Sequence, residues 1–491
     1  MAWYTIKEVK IDGGCPVNEI LELSMEVGAN RHGLLTYGGL VPEEAAKQYI
    51  RQNADHQAIM VSLLGELEFC GYPQEIVTDF QKDHCYLRVT LVSSSQHMDT
   101  YLRDRFFQDT TYTFEDMLTE AYEDSKTGRL VAICGNEEIG SPILQYHETD
   151  WQFSLRMAAR LGTVLIPNVT SAEPQVALGV PKRQVTEESN RIAYSVRRSA
   201  PDNRRDHHSY LCYKMTSDNR YKLGDSVRVN GQELIVMQKS FAYKKGEIQE
   251  LYVLGQVPEF ASPFYHNKRI AGLELEGKVL KRHAQSMQIL LDIDSGRKDC
   301  GKSWFSYSPV TNNGMYSMPL EDEKVMLQWQ SEVDNDILVV RPNRKNSHDM
   351  CNPGNRHFLT EHENHLMMMR GRVEYSNPLG SIKWLAGRGF DVSTGKDIFI
   401  NAEQDVNIKS RAQVQVYSPE RITACKTGVE SSIDMISNEL HVKAVKKVTA
   451  KSKVNKYRKP ILPEGPKKFT ISTAAASKLT AAVPLVSNAK K

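Results

Sequence analysis

Residues 397–428 read in eights as Asp397-Ile398-Phe399-Ile400-Asn401-Ala402-Glu403-Gln404, Asp405-Val406-Asn407-Ile408-Lys409-Ser410-Arg411-Ala412, Gln413-Val414-Gln415-Val416-Tyr417-Ser418-Pro419-Glu420 and Arg421-Ile422-Thr423-Ala424-Cys425-Lys426-Thr427-Gly428. Ile398, Val406, Val414 and Ile422 share one register, and Ile400, Ile408, Val416 and Ala424 share another two residues on. The phase slips around Gly428–Ser432 and returns at Leu440/Val442 and Val448/Ala450. An apolar pair at i and i+2 lies on one face of a short strand, and the polar remainder has to turn the chain. Eight residues are too few for one coil of a single-chain solenoid, which takes roughly 20 or more. A lone chain therefore leaves its apolar pairs uncovered and its strand edges unpaired. Three copies, each giving one strand per level, bury every pair on a common axis. The octads predict an intertwined trimeric β-prism, and the competing expectation is an amphipathic β-meander packed back on the rest of the chain.

Moving outward, the region before the octads reads as short strands. Leu273–Leu280, Ser286–Ile293, Lys324–Trp329 and Asp336–Val340 are β-rich runs between polar turns, and the span from Ala271 to Asn343 suits a five-stranded barrel of the OB type. Asn230-Gly231 between Ser226–Val229 and Glu233–Val236 predicts a tight hairpin. Further back, Ile20–Met25 and Cys85–Val92 alternate as strands. Three helices are expected: one after Pro42, one from Thr113 with Phe114, Met117, Leu118, Ala121 and Tyr122 on one face, and one from Thr149 to Leu161-Gly162.

The chain has 491 residues, with 62 Lys+Arg against 60 Asp+Glu and a formal charge of +2. Near-balance gives no overall electrostatic pull toward nucleic acid or anionic lipid. No apolar run approaches the roughly 18 residues that span a bilayer, and the start, Met1–Glu8, lacks the pattern of a secretory signal. The eight cysteines include no C-x-x-C pair, so they read as unpaired thiols of a reducing compartment.

Arg105-Phe106-Phe107-Gln108, the helix after it, and Leu144-Gln145-Tyr146-His147-Glu148-Thr149-Asp150-Trp151-Gln152-Phe153 through Arg156 to Gly162 resemble the hub part of VgrG-type spike proteins and of contractile-phage hub-spikes. Leu223-Gly224-Asp225-Ser226-Val227 resembles the second hub barrel of that family, 271–343 its OB domain, and Pro353–Leu366 with Gly380–Trp384 the connector before its needle. The resemblance implies a mainly β chain with a few helices, in five parts. These are a hub of two β-barrel subdomains with helical insertions (1–268), an OB-fold collar (269–343), a connector (344–390), a triple-stranded β-helix needle (391–455) and a basic, low-complexity tail (456–491). It also implies a homotrimer lying beneath an inner tube in a baseplate and driven through a target envelope on contraction. Such a chain is made in the cytoplasm and translocated on firing. Its needle core is Ile398, Ile400, Val406, Ile408, Val414, Val416, Ile422, Ala424, Leu440 and Val442. The tail residues Phe469, Ile471, Leu479, Val483, Leu485 and Val486 are the expected contact for a PAAR-type tip protein or an effector. The needle is expected to stop near 450–458, ahead of Pro460, Pro463 and Pro466, and no histidine follows His441 to build a metal plug. A secretion-type spike, a phage baseplate hub and a phage-tail-like bacteriocin all fit.

Chemistry-bearing patterns elsewhere are weak. His357, His362 and His365 with Glu361 and Glu363 lack the i, i+4 spacing of a metalloprotease helix and read as a polar strand, so no metal or cofactor is expected. Asp206-His207-His208-Ser209 has no nucleophile elbow, and Gly389–Lys396 has five residues between its glycines and Asp397 where a phosphate loop needs Ser or Thr. No pair of acids marks a polysaccharide-cleaving site, and 344–390 is too short to hold a lysozyme, so no enzyme activity is expected. The barrel offers Trp304, Phe305, Tyr307 and Trp329, but Glu321-Asp322-Glu323 and the lack of a basic stripe argue against stable nucleic-acid binding.

Overall fold

Long alternating runs in the first half of the chain pair into one sheet. The computed structural model describes residues 4–471 apart from 52–56, 82–84, 183–184, 189–193, 200–209, 218, 245, 295, 298–299, 310–316, 343–353, 361, 427–429, 437–438, 445–446, 448 and 450–466. Two compact units, 1–355 and 356–491, make up the chain.

In the first unit, ten strands of a twelve-stranded sheet run in the order Val9–Asp12, Ile59–Leu63, Glu66–Phe80, Cys85–Ser93, Arg31–Val41, Glu19–Gly28, Gln232–Lys244, Glu247–Gly255, Tyr210–Met215 and Tyr194–Ser199, and off this path Thr186–Glu187 pairs with Ser226–Val229. Ser226–Val229 also pairs with Gln232–Lys244 through the expected hairpin, where Asn230 and Gly231 take φ of 50° and 77°. Both central residues at positive φ match the right-handed twist of the flanking strands. The two parts of the hub, expected as β-barrel subdomains, share one hydrogen-bonded sheet. Gln232–Lys244 joins them because it is thirteen residues long and shifts register between Val236 and Gln238. Its second half can then pair with Glu19–Gly28 as well as with Glu247–Gly255. Two cores remain, one around Leu35, Phe69 and Leu87, the other around Val227, Val236 and Tyr252. Lys239 ties them together, buried with its Nζ 2.6 Å from Glu68 Oε2 and 3.6 Å from Glu250 Oε1.

The helices fall where caps and periodicity place them: α1 at Glu43–Arg51, α2 at Phe114–Ser125 and α3 at Asp150–Arg160. Thr113 accepts from Asp116 N and Asp116 bonds back to Thr113 N, while Thr149 accepts from Gln152 N. Such caps satisfy amide donors that a helix start leaves open. The apolar faces of α2 and α3 meet in a core of Met117, Leu118, Tyr122, Trp151, Phe153 and Met157.

Glu274–His283, Ser286–Leu291, Trp304–Ser306, Lys324–Trp329 and Ile337–Pro342 form a five-stranded sheet in which the first strand lies between the second and the fourth. A parallel bridge from Tyr307 to Val339 closes it. This is the OB connectivity.

The second unit begins with a five-stranded antiparallel meander, Arg356–Leu359, His365–Met369, Arg372–Asn377, Gly380–Leu385 and Gly389–Thr394. This sheet spans most of the expected connector, 344–390, and the first residues of the expected needle. Residues 395–420 follow without a ladder, and then Arg421–Lys426, Ser431–Ile436, Glu439–Ala444 and Lys467–Ile471 form a second antiparallel meander.

Candidate functional site

Two arrangements bear on function, and the first is the junction of hub and barrel. Arg103–Phe107 pairs with Ile143–Glu148, and a register shift beside Asp104 leaves His147 at a φ of 48°. Asp104 holds that bulge, its Oδ1 accepting from His147 N at 2.7 Å. Buried Arg105 donates from Nη1 to Gln145 Oε1 at 2.8 Å and to Asp150 Oδ1 at 2.7 Å, and from Nε to Asp124 Oδ2 at 2.8 Å. Arg156 is fully buried and spans two parts of the unit. It meets Glu148 through Nε at 2.9 Å and Nη2 at 2.7 Å, Leu144 O at 2.7 Å, and Asp334 of the barrel at 3.2 Å. Burial raises the Glu148 carboxyl against the pull of Arg156, while at Asp150 burial pushes upward but hydrogen bonds from Ser125, Arg105 and Thr127 hold the group below its ordinary value.

The same motif reaches into the barrel. Phe106 N donates to Asp294 Oδ1 at 3.1 Å, Gln108 Nε2 to Ile289 O at 3.0 Å and Leu144 N to Asp334 Oδ1 at 3.3 Å. The Phe106 ring lies 5.4 Å from Trp329, edge-on, and 5.8 Å from Phe305, inside the barrel core. The Arg-Phe-Phe-Gln and Gln-Tyr-His-Glu-Thr-Asp-Trp stretches are therefore a buried clamp between hub and barrel. Asp294 and Asp334 went unnoticed in the sequence; the available signal was an arginine, Arg156, set among the apolar residues of a helix.

The second arrangement is apolar and open. Between 395 and 420 the chain bends at 395–396, 403–404, 411–412 and 419–420, a period of eight, with extended segments between the bends. Thr394, Ser410 and Ser418 each accept from the backbone N–H two residues on, at 3.1, 3.2 and 3.4 Å, which sets three of these bends. Ile398, Ile400, Val406, Ile408, Val414 and Val416 are all exposed, Ile408 to 70%. Residues 395–420 join no ladder among the described residues.

The meander before them is two-faced. Register places Phe358, Leu366, Tyr375, Ile382 and Val392 in one row and Met368, Val373, Trp384 and Phe390 in the next, all on one side. The opposite side carries His357, Met367, Glu374, Lys383 and Asp391 in a row. Trp384 is 68% and Phe390 71% exposed. With aromatic side chains of about 150–250 Å² each and roughly half exposure, the apolar side offers on the order of 800 Å², what one partner of a stable interface buries.

Beyond 420, four of the expected needle-core residues lie in strands that pair within the chain. Ile422 and Ala424 pair with Met435 and Ile433, which pair with Leu440 and Val442, all within one chain. Arg421–Lys426 and Ser431–Ile436, on either side of the phase slip, run antiparallel, and the eight-residue bends are seen up to 420. Lys467–Ile471 then adds to Glu439–Ala444, with Phe469 opposite Val442 and Ile471 opposite Leu440. Pairing thus resumes past the expected end of the needle at 450–458, and Leu479, Val483, Leu485 and Val486 lie outside the described residues. In this meander Asp434 accepts from Thr423 and Arg421, both at 2.6 Å, and these bonds hold its pKa down to about 2.

Other chemistry-like features have structural explanations. Ser95 Oγ lies 2.8 Å from His32 Nδ1, and Asp99 Oδ2 lies 3.7 Å from Nε2, a triad-like trio that the sequence did not reveal. Ser95 is completely buried and bonded to Ser93, so no substrate reaches it. Asp206-His207-His208-Ser209 lies outside the described residues. Gly389–Thr394 is an edge strand rather than a phosphate loop. Phe305 and Trp329 are buried in the barrel core, which leaves Trp304 exposed among the four aromatics weighed for nucleic-acid stacking.

No family profile and no curated protein matches the chain by sequence. Solved structures do. A chain of the half-lidded Francisella PdpA–VgrG complex superposes with a TM-score of 0.50 at 9% identity, covering 80% of this chain and 88% of that one. The fold is VgrG-like. Also similar are the E. coli c3393 protein, a type VI secretion component described as resembling the T4 bacteriophage tail proteins gp27 and gp5 (TM-score 0.48, 12% identity, 67% of this chain and 98% of that one), and the 43 kDa tail protein of prophage MuSo2 from Shewanella oneidensis (0.41, 11%, 53% and 100%). Within the VgrG-like fold, the clamp lies in the region whose motifs carried the sequence resemblance.

Proposed function

We propose that this chain is the hub and spike of a contractile injection apparatus and that it works as a homotrimer. The observation that carries the reading is the eight-residue bend period of 395–420, with an exposed apolar pair on each extended segment and no ladder partner among the described residues. Three copies supply the missing backbone partners and cover the pairs at each level, and the apolar side of the 356–394 meander runs directly into that series. In this role the hub meets an inner tube protein and baseplate proteins, and the tail carries a PAAR-type tip protein or effectors. The chain is made in the cytoplasm, built into the particle and driven through the target envelope on contraction. It is a mechanical part with no hydrolase activity of its own, so purified peptidoglycan is expected to stay uncleared; clearing lost on mutating a carboxylate of 344–390 contradicts this. Light scattering on the full chain is expected to give three times 55.7 kDa. A stable folded monomer at micromolar concentration overturns the proposal.

A further inference from the structure

We propose that His357, His365 and Met367 form a binding site for a single monovalent copper ion. His357 lies in Arg356–Leu359 and His365 in the neighbouring strand His365–Met369. Their rings are nearly parallel at 19°, and His357 Nδ1 lies 3.0 Å from His365 Nε2. His357 Nε2, on the other side of that ring, is buried and has no hydrogen-bond partner among the described residues. Met367 stands directly opposite His357 in the register and two residues after His365 on the same strand. Alternation therefore puts both imidazoles and the thioether on one face of the sheet.

Imidazole nitrogens bind a metal at about 2.0–2.1 Å, so two nitrogens 3.0 Å apart subtend a little more than a right angle at a shared ion. A shift of a few tenths of an ångström opens that to a trigonal angle. The two nitrogens share a hydrogen bond in the ion-free chain, so ion binding moves the bridging proton to the far nitrogen of its own ring. Both then act as acceptors, with the ring protons on His357 Nε2 and His365 Nδ1. The donor set chooses the ion. Glu374, the carboxylate next along the row from Met367, is buried and engaged by Arg372 and, at 3.6 Å, by Lys383. Among the described residues that leaves two imidazoles and a thioether, ligands that favour Cu(I) over magnesium, calcium or a closed tetrahedral zinc site. This face is opposite the apolar side of the meander, and the site does not rest on the proposed function.

The test is an anaerobic titration of the full chain with Cu(I) against a chromophoric chelator, with X-ray absorption on the loaded protein. One equivalent is expected to be retained. The spectrum should show two nitrogens at about 2.0 Å and one sulfur at about 2.3 Å. His357→Ala and His365→Ala are expected to weaken retention about a hundredfold, and Met367→Leu about tenfold. Because the absorption measurement uses the unsubstituted protein, it decides the matter even where a variant unfolds. Failure to hold Cu(I) against the chelator, a spectrum without sulfur, or tighter binding of Zn(II) than of Cu(I) overturns the site.

Discussion

The hub–barrel clamp and the octad stretch are opposite solutions to the same problem. Around Arg156, the neighbouring carboxylates are met by a partner from the same chain, and the partners come from as far away as Asp334. From Ile398 to Val416, every apolar pair is exposed and the backbone joins no ladder among the described residues. The contrast separates what one chain completes by folding from what it leaves exposed. Burial within the chain rewards residues that fold over one another, whereas an eight-residue unit has no room to return and cover itself.

The sharpest way to break this contrast is Val406→Asp. If the octads meet on a common axis, the change places three like charges at one level, each costing several kcal/mol without a partner, and light scattering is expected to show loss of the trimer. Assembly equal to that of the parent would mean that Val406 is not in a shared core. The counterpart change in the clamp is Arg156→Met, which leaves Glu148 and Asp334 buried without their cation. A loss of about 3–5 kcal/mol is expected in the unfolding of residues 1–355, with trimer mass unchanged wherever the fold survives. Adding Glu148→Gln and Asp334→Asn should recover part of the loss.

A smaller effect sharpens the comparison by pH. Asp150 is held below its ordinary value of 3.8, so its ionised form contributes stability that is present above that value and lost as pH falls through the lower folded value. Asp150→Asn is expected to flatten the fall in melting temperature on the acid side, and an unchanged acid limb would show that Arg105 does not favour the ionised form. The least effect on assembly is expected from deleting residues 459–491. This removes the strand Lys467–Ile471 and the rest of the tail, yet trimer mass is expected to stay the same while co-purification of a tip partner is lost. Loss of trimerisation would assign that strand to the assembly itself.

Much of this was legible locally. The octad period, the caps at Thr113 and Thr149, the Asn230-Gly231 turn and the strands of the barrel are statements about residues within about ten positions of one another. Backbone geometry translates such spacing directly into bends, faces and ends. The 356–394 meander was harder to see because its apolar side is interleaved with Leu359, Met367 and Met369 on the other side, which blurs the alternation. The sequence alone determined the repeat, its period and the residues that must be covered. Only the tertiary structure decided that Arg156 reaches Asp334, that Gln232–Lys244 joins the two hub halves into one sheet, and that His357 meets His365. Those pairings join segments whose spacing along the chain carries no signal, and the choice among them is made by which surfaces pack once the chain has folded.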